Sequence, residues 1–308
     1  MNRFRWLVIC VAAGIGVAAW GQKIDLKVNY GPGAYVATQH VTLSTTFDTG
    51  DKTIKLRTID ALTMDMTVGK ADADSHRDLT FTFRRIKSDS QRDGKTTKTH
   101  DSATDAKPQD PVYKIDNAMI GQSMSMTVDA KGHANSLHRP EKLLAAMPKD
   151  VPEDEVTQSL QIHAENLLEC FGQTALPGKP VGKGDSWELA TRVTMPTGGS
   201  MHVRQVCTLK EIKNGVATVT GKATVKSKDD YADATEEVTS LRDIDMTTES
   251  TLLIDVATGL PQSATTTQKG SVLLSLGGKD VTVAFDGKSE ITIQKGAYKG
   301  PQEAPKKK

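Results

Sequence analysis

Only three cysteines occur in this chain of 308 residues, and Cys10 lies inside an N-terminal apolar run. The other two, Cys170 and Cys207, belong to no C-x-x-C pair, so thiol–disulfide redox catalysis is excluded. Aromatic residues make up only 5%, and an interior must therefore be filled largely by Met, Leu and Val. Charge of either sign is nearly absent in net terms, with a formal +1. A chain without a basic surplus has no electrostatic footprint for nucleic acid. The one charge run, Lys306-Lys307-Lys308, follows Pro301 and Pro305 and reads as a solvated tail. Three lysines are too few for a membrane-surface role.

Enzyme motifs are missing as well. Gly121-Gln122-Ser123-Met124-Ser125 lacks the last glycine of the hydrolase nucleophile elbow. No H-E-x-x-H pattern or phosphate-cradling glycine loop is present, and the seven histidines are scattered. His163 falls beside the apolar stripe of a helix, where packing is its expected role. No cofactor is implied.

What is present begins with an export signal. Arg3 and Arg5 precede an apolar run from Trp6 to Trp20, which ends in Ala19-Trp20-Gly21. The small residues at that end are those a signal peptidase reads, and they place cleavage after Gly21, or alternatively after Ala19. About 15 apolar residues fall short of the roughly 20 that span a bilayer. Cys10 sits too early in the run for a lipoprotein signal, and the two arginines are not adjacent as the twin-arginine route requires. The expected mature protein is exported to the periplasm or medium, with no membrane span. In that oxidising setting Cys170 and Cys207 either pair as one disulfide or stay as two buried thiols.

Period-two alternation dominates the rest. Leu62, Met64, Met66 and Val68 alternate with Thr63, Asp65 and Thr67; Met124, Met126 and Val128 do the same, as do Val281, Val283 and Phe285. Each is the mark of a strand with one buried and one wet face. Turn signals separate the runs, and Asn214-Gly215 and Asp286-Gly287 each predict a tight hairpin. Segments 98–110 and 226–237, rich in Asp, Thr and Ala, read as mobile loops. In the middle, Pro140 to Met147 predicts a short helix and Val151 to Phe171 a longer one. Asp150 and Glu153 stand at capping-box spacing, with Pro152 in the first turn. Val156, Leu160, Leu167 and Phe171 form one apolar stripe, which needs a sheet to pack on.

The flanks resemble each other: residues 78–93 match 203–214, and 124–132 match 251–259, each followed by or ending in glycine. The expected architecture is mainly β with a helical insertion: an antiparallel, strongly curved sheet or half-open barrel made of two similar β units. Residues 1–21 form the leader, 22–138 and 175–297 the two β units of one domain, 139–172 the helical connector packed on it, and 298–308 a disordered basic tail.

Residues 175–187 read Ala-Leu-Pro-Gly-Lys-Pro-Val-Gly-Lys-Gly-Asp-Ser-Trp. This string, with the Val-Asp-x-x-Gly turns near Asp129 and Asp255, resembles a family of exported bacterial proteins of unknown function. The resemblance implies export and a β-rich single domain, and supplies no catalytic residues. Pro177 and Pro180 stiffen the exit from the helix, Gly184-Asp185 turns, and Trp187 opens a strand with its ring on the core or against a ligand.

Two constellations invite chemistry. Asp72, Asp74, His76 and Asp78 would project from one face if they lay on a strand, a set of oxygen and imidazole ligands for a metal. Gly69-Lys70 argues instead for a turn and the wet side of a hairpin. Met64, Met66, Met124 and Met126 place paired thioethers on inward faces. Soft sulfur suits copper(I), but adaptable apolar filling is the commoner use. A sheet lined this way could enclose a flexible apolar cavity, with Trp187 beside it. The outline is similar in shape to the carriers that shuttle lipoproteins across the periplasm. The expected function is a non-enzymatic binder of an apolar ligand, a lipid or a lipidated protein, with the helices as lid. The alternatives are an interaction module of the cell envelope without a pocket, and a metal protein centred on Asp72–Asp78.

Overall fold

The computed structural model describes residues 23–26, 30–129, 134–138, 140–167, 176–194, 200–227, 238–276 and 279–300. Residues 1–22, Cys170, Phe171, most of 226–237 and residues 301–308 lie outside them. Within each strand the alternation read from the sequence decides which face is covered. In the last strand, Val281, Val283, Phe285, Ile291 and Ile293 are buried and Gly287 and Ser289 half-buried, while the alternate residues Thr282 to Thr292 face solvent.

The elements run β1 (Gly33–Asp48), β2 (Thr53–Val68), β3 (Arg77–Arg92), β4 (Lys95–Asp101), α1 (Pro111–Met119), β5 (Ser123–Val128) and β6 (Ala134–His138). They continue with α2 (Glu141–Ala146), α3 (Glu153–Leu167), β7 (Ser186–Thr194), β8 (Ser200–Lys213), β9 (Val216–Ser227), β10 (Val238–Asp255), β11 (Pro261–Leu276) and β12 (Lys279–Lys295). All twelve strands belong to one sheet, in the order β6-β5-β3-β2-β1-β12-β11-β10-β9-β8-β7, with β4 beside β3. The pairings are antiparallel throughout. The chain therefore starts at mid-sheet, winds out to the β6 edge, crosses by α2 and α3 to the β7 edge, and winds back until β12 pairs with β1. The mainly β architecture expected from the sequence is what forms, as an open sheet and not a closed barrel. Bulges opposite Thr63 and Met64 in β3, and near Asp243 (φ 50°) in β10, add local twist.

Register explains the tightest part of the core. Met66 stands opposite Tyr35 on one side and Phe81 on the other, and Phe81 opposite Met124. Leu79, Phe81, Phe83, Met66 and Met124 are wholly buried. Helix α1 begins where Asp110 caps the Val112 N–H with Pro111 in the first turn, a pairing of cap and proline that favours helix start. Its Lys114 pairs with Asp150, so that carboxylate ties α1 to the approach of α3. Val156, Leu160 and Leu167 of α3 are buried, as the stripe requires.

Two local expectations are corrected. Asp286-Gly287 is not a hairpin: β12 runs straight through it, Gly287 standing opposite Leu43 of β1 and Gln268 of β11. The dipeptide signals a turn only if the chain reverses there, and with strands paired on both sides it stays extended. Asn214-Gly215 does turn, with φ of 51° and 76°, and Asp93-Gly94 turns likewise with 51° and 78°, the left-handed pair of a two-residue hairpin. Nor is 98–110 a free loop. Its first residues form β4, Asp101 takes both nitrogens of Arg85, and buried His100 stacks on Tyr113 at 4.5 Å.

The Leu-Pro-x-Lys-Pro-Val string acts as a clasp. Val181 and Ile24 exchange both backbone hydrogen bonds at 2.8 Å. The Asp185 carboxylate accepts from the Gly182 N–H at 2.9 Å, and Gly184 (φ 90°) makes the turn.

Candidate functional site: a cavity under the helices

The buried face of the sheet carries two apolar blocks at opposite ends of the strands. One, which includes Met64, Phe81, Met124, Leu160 and Ile293, is the part the helices pack on. The other gathers Val203, Ile244, Met246, Val272, Val283 and Phe285. Between them runs a band of small and polar residues in strict register: Ser88, Asp60, Val41, Ser289, Thr266, Ser250, Gly221 and Cys207 stand opposite one another from β3 to β8. Gly221 lets the Gln205 amide reach the Ser250 hydroxyl at 2.7 Å; a Cβ there would lie 2.3 Å from that amide nitrogen. Short side chains under a helix leave space that nothing else fills.

That space is a cavity of about 530 Å³ between β1–β3 and helices α1 and α3, within the 300–1,000 Å³ of small-molecule sites. Val41, Leu62, Ile86 and Val112 line it with apolar groups, and Gln39, Asp60, Ser88, Tyr113, Asp116, Ser159 and His163 with polar ones. Ser88 donates to Asp60 at 2.6 Å, and Asp116 lies 3.4 Å from His163 Nε2. Asp116 is 5% exposed. The edge of the His163 ring faces Phe83, ring centroids 5.9 Å apart, and its Nδ1 is buried without a hydrogen-bond partner among the described residues. The Asp–His pair is thus not joined to a nucleophile. Burial pushes the Tyr113 hydroxyl up from its ordinary value, partly offset by hydrogen bonds to Ser88 and Ser90.

Burial also raises the Asp60 carboxyl; Asp116 adds repulsion, while the Ser88 bond and His163 partly oppose the rise. The folded state therefore holds a proton that the unfolded chain, near 3.8, has released. Stability falls as pH climbs from that value through the folded one, and the deficit is complete above it. Asp60→Asn keeps an acceptor for Ser88 and removes the charge. We expect it to raise the melting temperature by about 2–4 °C near pH 7.5, corresponding to about 1 kcal/mol, with no gain below the ordinary carboxylate range. A variant no more stable than wild type at neutral pH would show that Asp60 carries no burial cost.

The residues singled out in the sequence fall elsewhere. Met64, Met66, Met124 and Met126 are 2% exposed or less and lie in the packed block beneath the helices, not in the cavity wall. Trp187 sits opposite Cys207, packed against the same block, with its indole N–H buried and without a hydrogen-bond acceptor. Cys207 is buried, has no disulfide partner among the described residues, and is pushed up to about 11 by burial; its proposed partner Cys170 lies outside them. Asp72, Asp74 and His76 form the turn between β2 and β3, their ligand atoms within 4.8 Å of one another. Asp72 already accepts the Asp74 and His76 N–H groups, which hold its carboxyl below the usual range. Asp78 is apart from them, at the start of β3, accepting from Thr127 at 2.8 Å.

The cavity residues were missed by sequence reading, yet one signal existed. Asp60 continues the parity of Leu62, Met64, Met66 and Val68, which places a carboxylate on the buried face.

An open antiparallel sheet carrying helices over a half-apolar cavity defines a β-rich domain. The chain belongs to the family described as a family of unknown function, DUF6263, which matches residues 74–261. No curated protein matches it. Among solved structures, lipovitellin aligns with 90% of this chain at 9% identity and a TM-score of 0.53, a likeness of fold. This chain corresponds to 27% of that protein's length. An outer-membrane channel of Pseudomonas putida F1 aligns over 87% of this chain and 98% of its own, at 7% identity and a TM-score of 0.25. OccK5 of Pseudomonas aeruginosa gives 5% identity, 85% and 98% coverage, and 0.24; such scores define no shared fold. Among the described residues no helix is long and apolar enough to cross a membrane.

Proposed function

We propose that this protein is exported and acts as a non-enzymatic binder of an amphiphilic ligand, a lipid or the lipid-bearing end of a protein, held between β1–β3 and helices α1 and α3. The observation that carries this reading is the cavity of about 530 Å³ lined by both apolar and hydrogen-bonding side chains. A ligand with a hydrocarbon body and a hydrogen-bonding head matches that mixed lining, whereas a wholly apolar ligand leaves Asp60, Ser88 and Asp116 facing hydrocarbon. Support comes also from fold: lipovitellin, described in a structure of its lipid–protein interactions, shares the architecture. Export rests on the leader at residues 1–21.

An interaction module without a pocket leaves the cavity unexplained. A metal protein built on Asp72, Asp74, His76 and Asp78 finds Asp78 bonded elsewhere and Asp72 engaged by its own backbone. Native mass spectrometry of protein purified without detergent tests the binder reading. The expected result is a mass adduct that organic extraction releases. It should vanish in Ser159→Trp, which fills the cavity from α3, while the circular dichroism stays that of wild type. A wild-type protein free of adduct that also takes up no added amphiphile overturns the proposal.

A further inference from the structure

Several acidic residues elsewhere on this protein are matched by lysine or arginine. Asp65 meets Arg84 at 2.6 Å, Asp101 meets Arg85 and Lys87 and is held down to about 2 chiefly by the Arg85 hydrogen bond, and Asp110 and Asp150 meet Lys98 and Lys114. The cavity departs from that pattern. Asp60 rises from β2 and Asp116 comes down from α1, near enough to repel each other. Among the described residues neither has a lysine or arginine partner. Asp60 holds only the Ser88 hydroxyl, and Asp116 only the edge of His163. Glu155 adds a third carboxylate to the lining.

Two like charges in a half-buried, apolar-walled space disfavour each other and are costly to desolvate. An incoming cation satisfies both at once, and a charge-assisted hydrogen bond in such a site is roughly twice as strong as a neutral one. An anionic head group meets repulsion from every acid in the wall. Leu62, Ile86 and Val41 flank the same space and offer an apolar surface to whatever the cation is attached to. We propose that the ligand of this cavity is an amphiphile whose head carries a protonated nitrogen, an ammonium seated between Asp60 and Asp116 with its hydrocarbon along Leu62 and Ile86. The inference rests on the reading of the cavity as an amphiphile site and specifies the head group.

Calorimetric titration of the full mature chain near pH 7.5, below micelle-forming concentrations, tests it with four probes: octylammonium, octanol, octanoate and ethylammonium. Octylammonium should bind at least about tenfold more tightly than octanoate or ethylammonium. Asp60→Asn and Asp116→Asn should each weaken octylammonium by about tenfold or more and leave octanol unchanged. Circular dichroism confirms that both variants are folded, and either one alone suffices if the other is not. Octanoate binding as tightly as octylammonium, or octylammonium unaffected by both substitutions, overturns the cationic head group while leaving an amphiphile cavity. Ethylammonium binding as tightly as octylammonium overturns it in favour of a free-amine site. If none of the four binds, the amphiphile reading itself fails.

Discussion

Phe81→Ala is expected to destabilise the protein by about 3–5 kcal/mol and to lower its melting temperature by about 10 °C. Phe81 has no exposed surface, and on β3 it stands between Met66 of β2 and Met124 of β5. Truncation removes its transfer free energy and leaves a void that two fully buried, register-locked neighbours can only partly fill. Methionine is flexible enough to collapse somewhat into the gap, which sets the loss toward the lower end. The companion Met66→Leu conserves volume and should cost less than about 1.5 kcal/mol. Thermal unfolding by circular dichroism measures both. A Phe81→Ala loss no larger than that of Met66→Leu would mean that this block is loosely packed.

Gly270→Ala should cost about 3 kcal/mol, at the upper end of what overpacking does. A Cβ at Gly270 would lie 2.4 Å from the Asp245 carbonyl oxygen and 2.9 Å from Met246 Cα. Both are backbone atoms of β10 beside its bulge, so the strands themselves must part. The contrast is Gly221→Ala, where the clash is with the ends of the Gln205 and Ser250 side chains at 2.3 and 2.5 Å. Those ends can rotate aside at the loss of one hydrogen bond, about 1 kcal/mol. Urea unfolding midpoints should therefore rank wild type above Gly221→Ala and Gly221→Ala above Gly270→Ala. The reverse order would show that the β10 bulge is not held by close approach of β11.

Sequence reading succeeded where the physics is local. Alternation at Leu62–Val68, Met124–Val128 and Val281–Phe285 exposes its period in a window of a few residues, and those faces are the buried ones. Asn214-Gly215 was legible because its left-handed backbone is a property of two residues. Asp286-Gly287 carries the same local signal but lies in the middle of β12, where pairing with β1 and β11 keeps it extended. Helix α1 went unread although Asp110-Pro111 carries a local start signal.

The cavity shows the division most plainly. The sequence by itself determined a one-faced antiparallel sheet with helices to cover it, because side-chain alternation and helix stripes are read over one or two turns of chain. The parity of Leu62 and Met64, extended by one step, also covers Asp60, though that reading was not made. Only the tertiary structure brought Asp60, Asp116 and His163 around one space. Their meeting depends on the return of β12 to β1, on the crossing of α3 over the sheet, and on which polar rows fall beneath it. Those are long-range choices of packing, made where apolar area is buried at the least cost in unpaired polar groups, and no short window of sequence contains them.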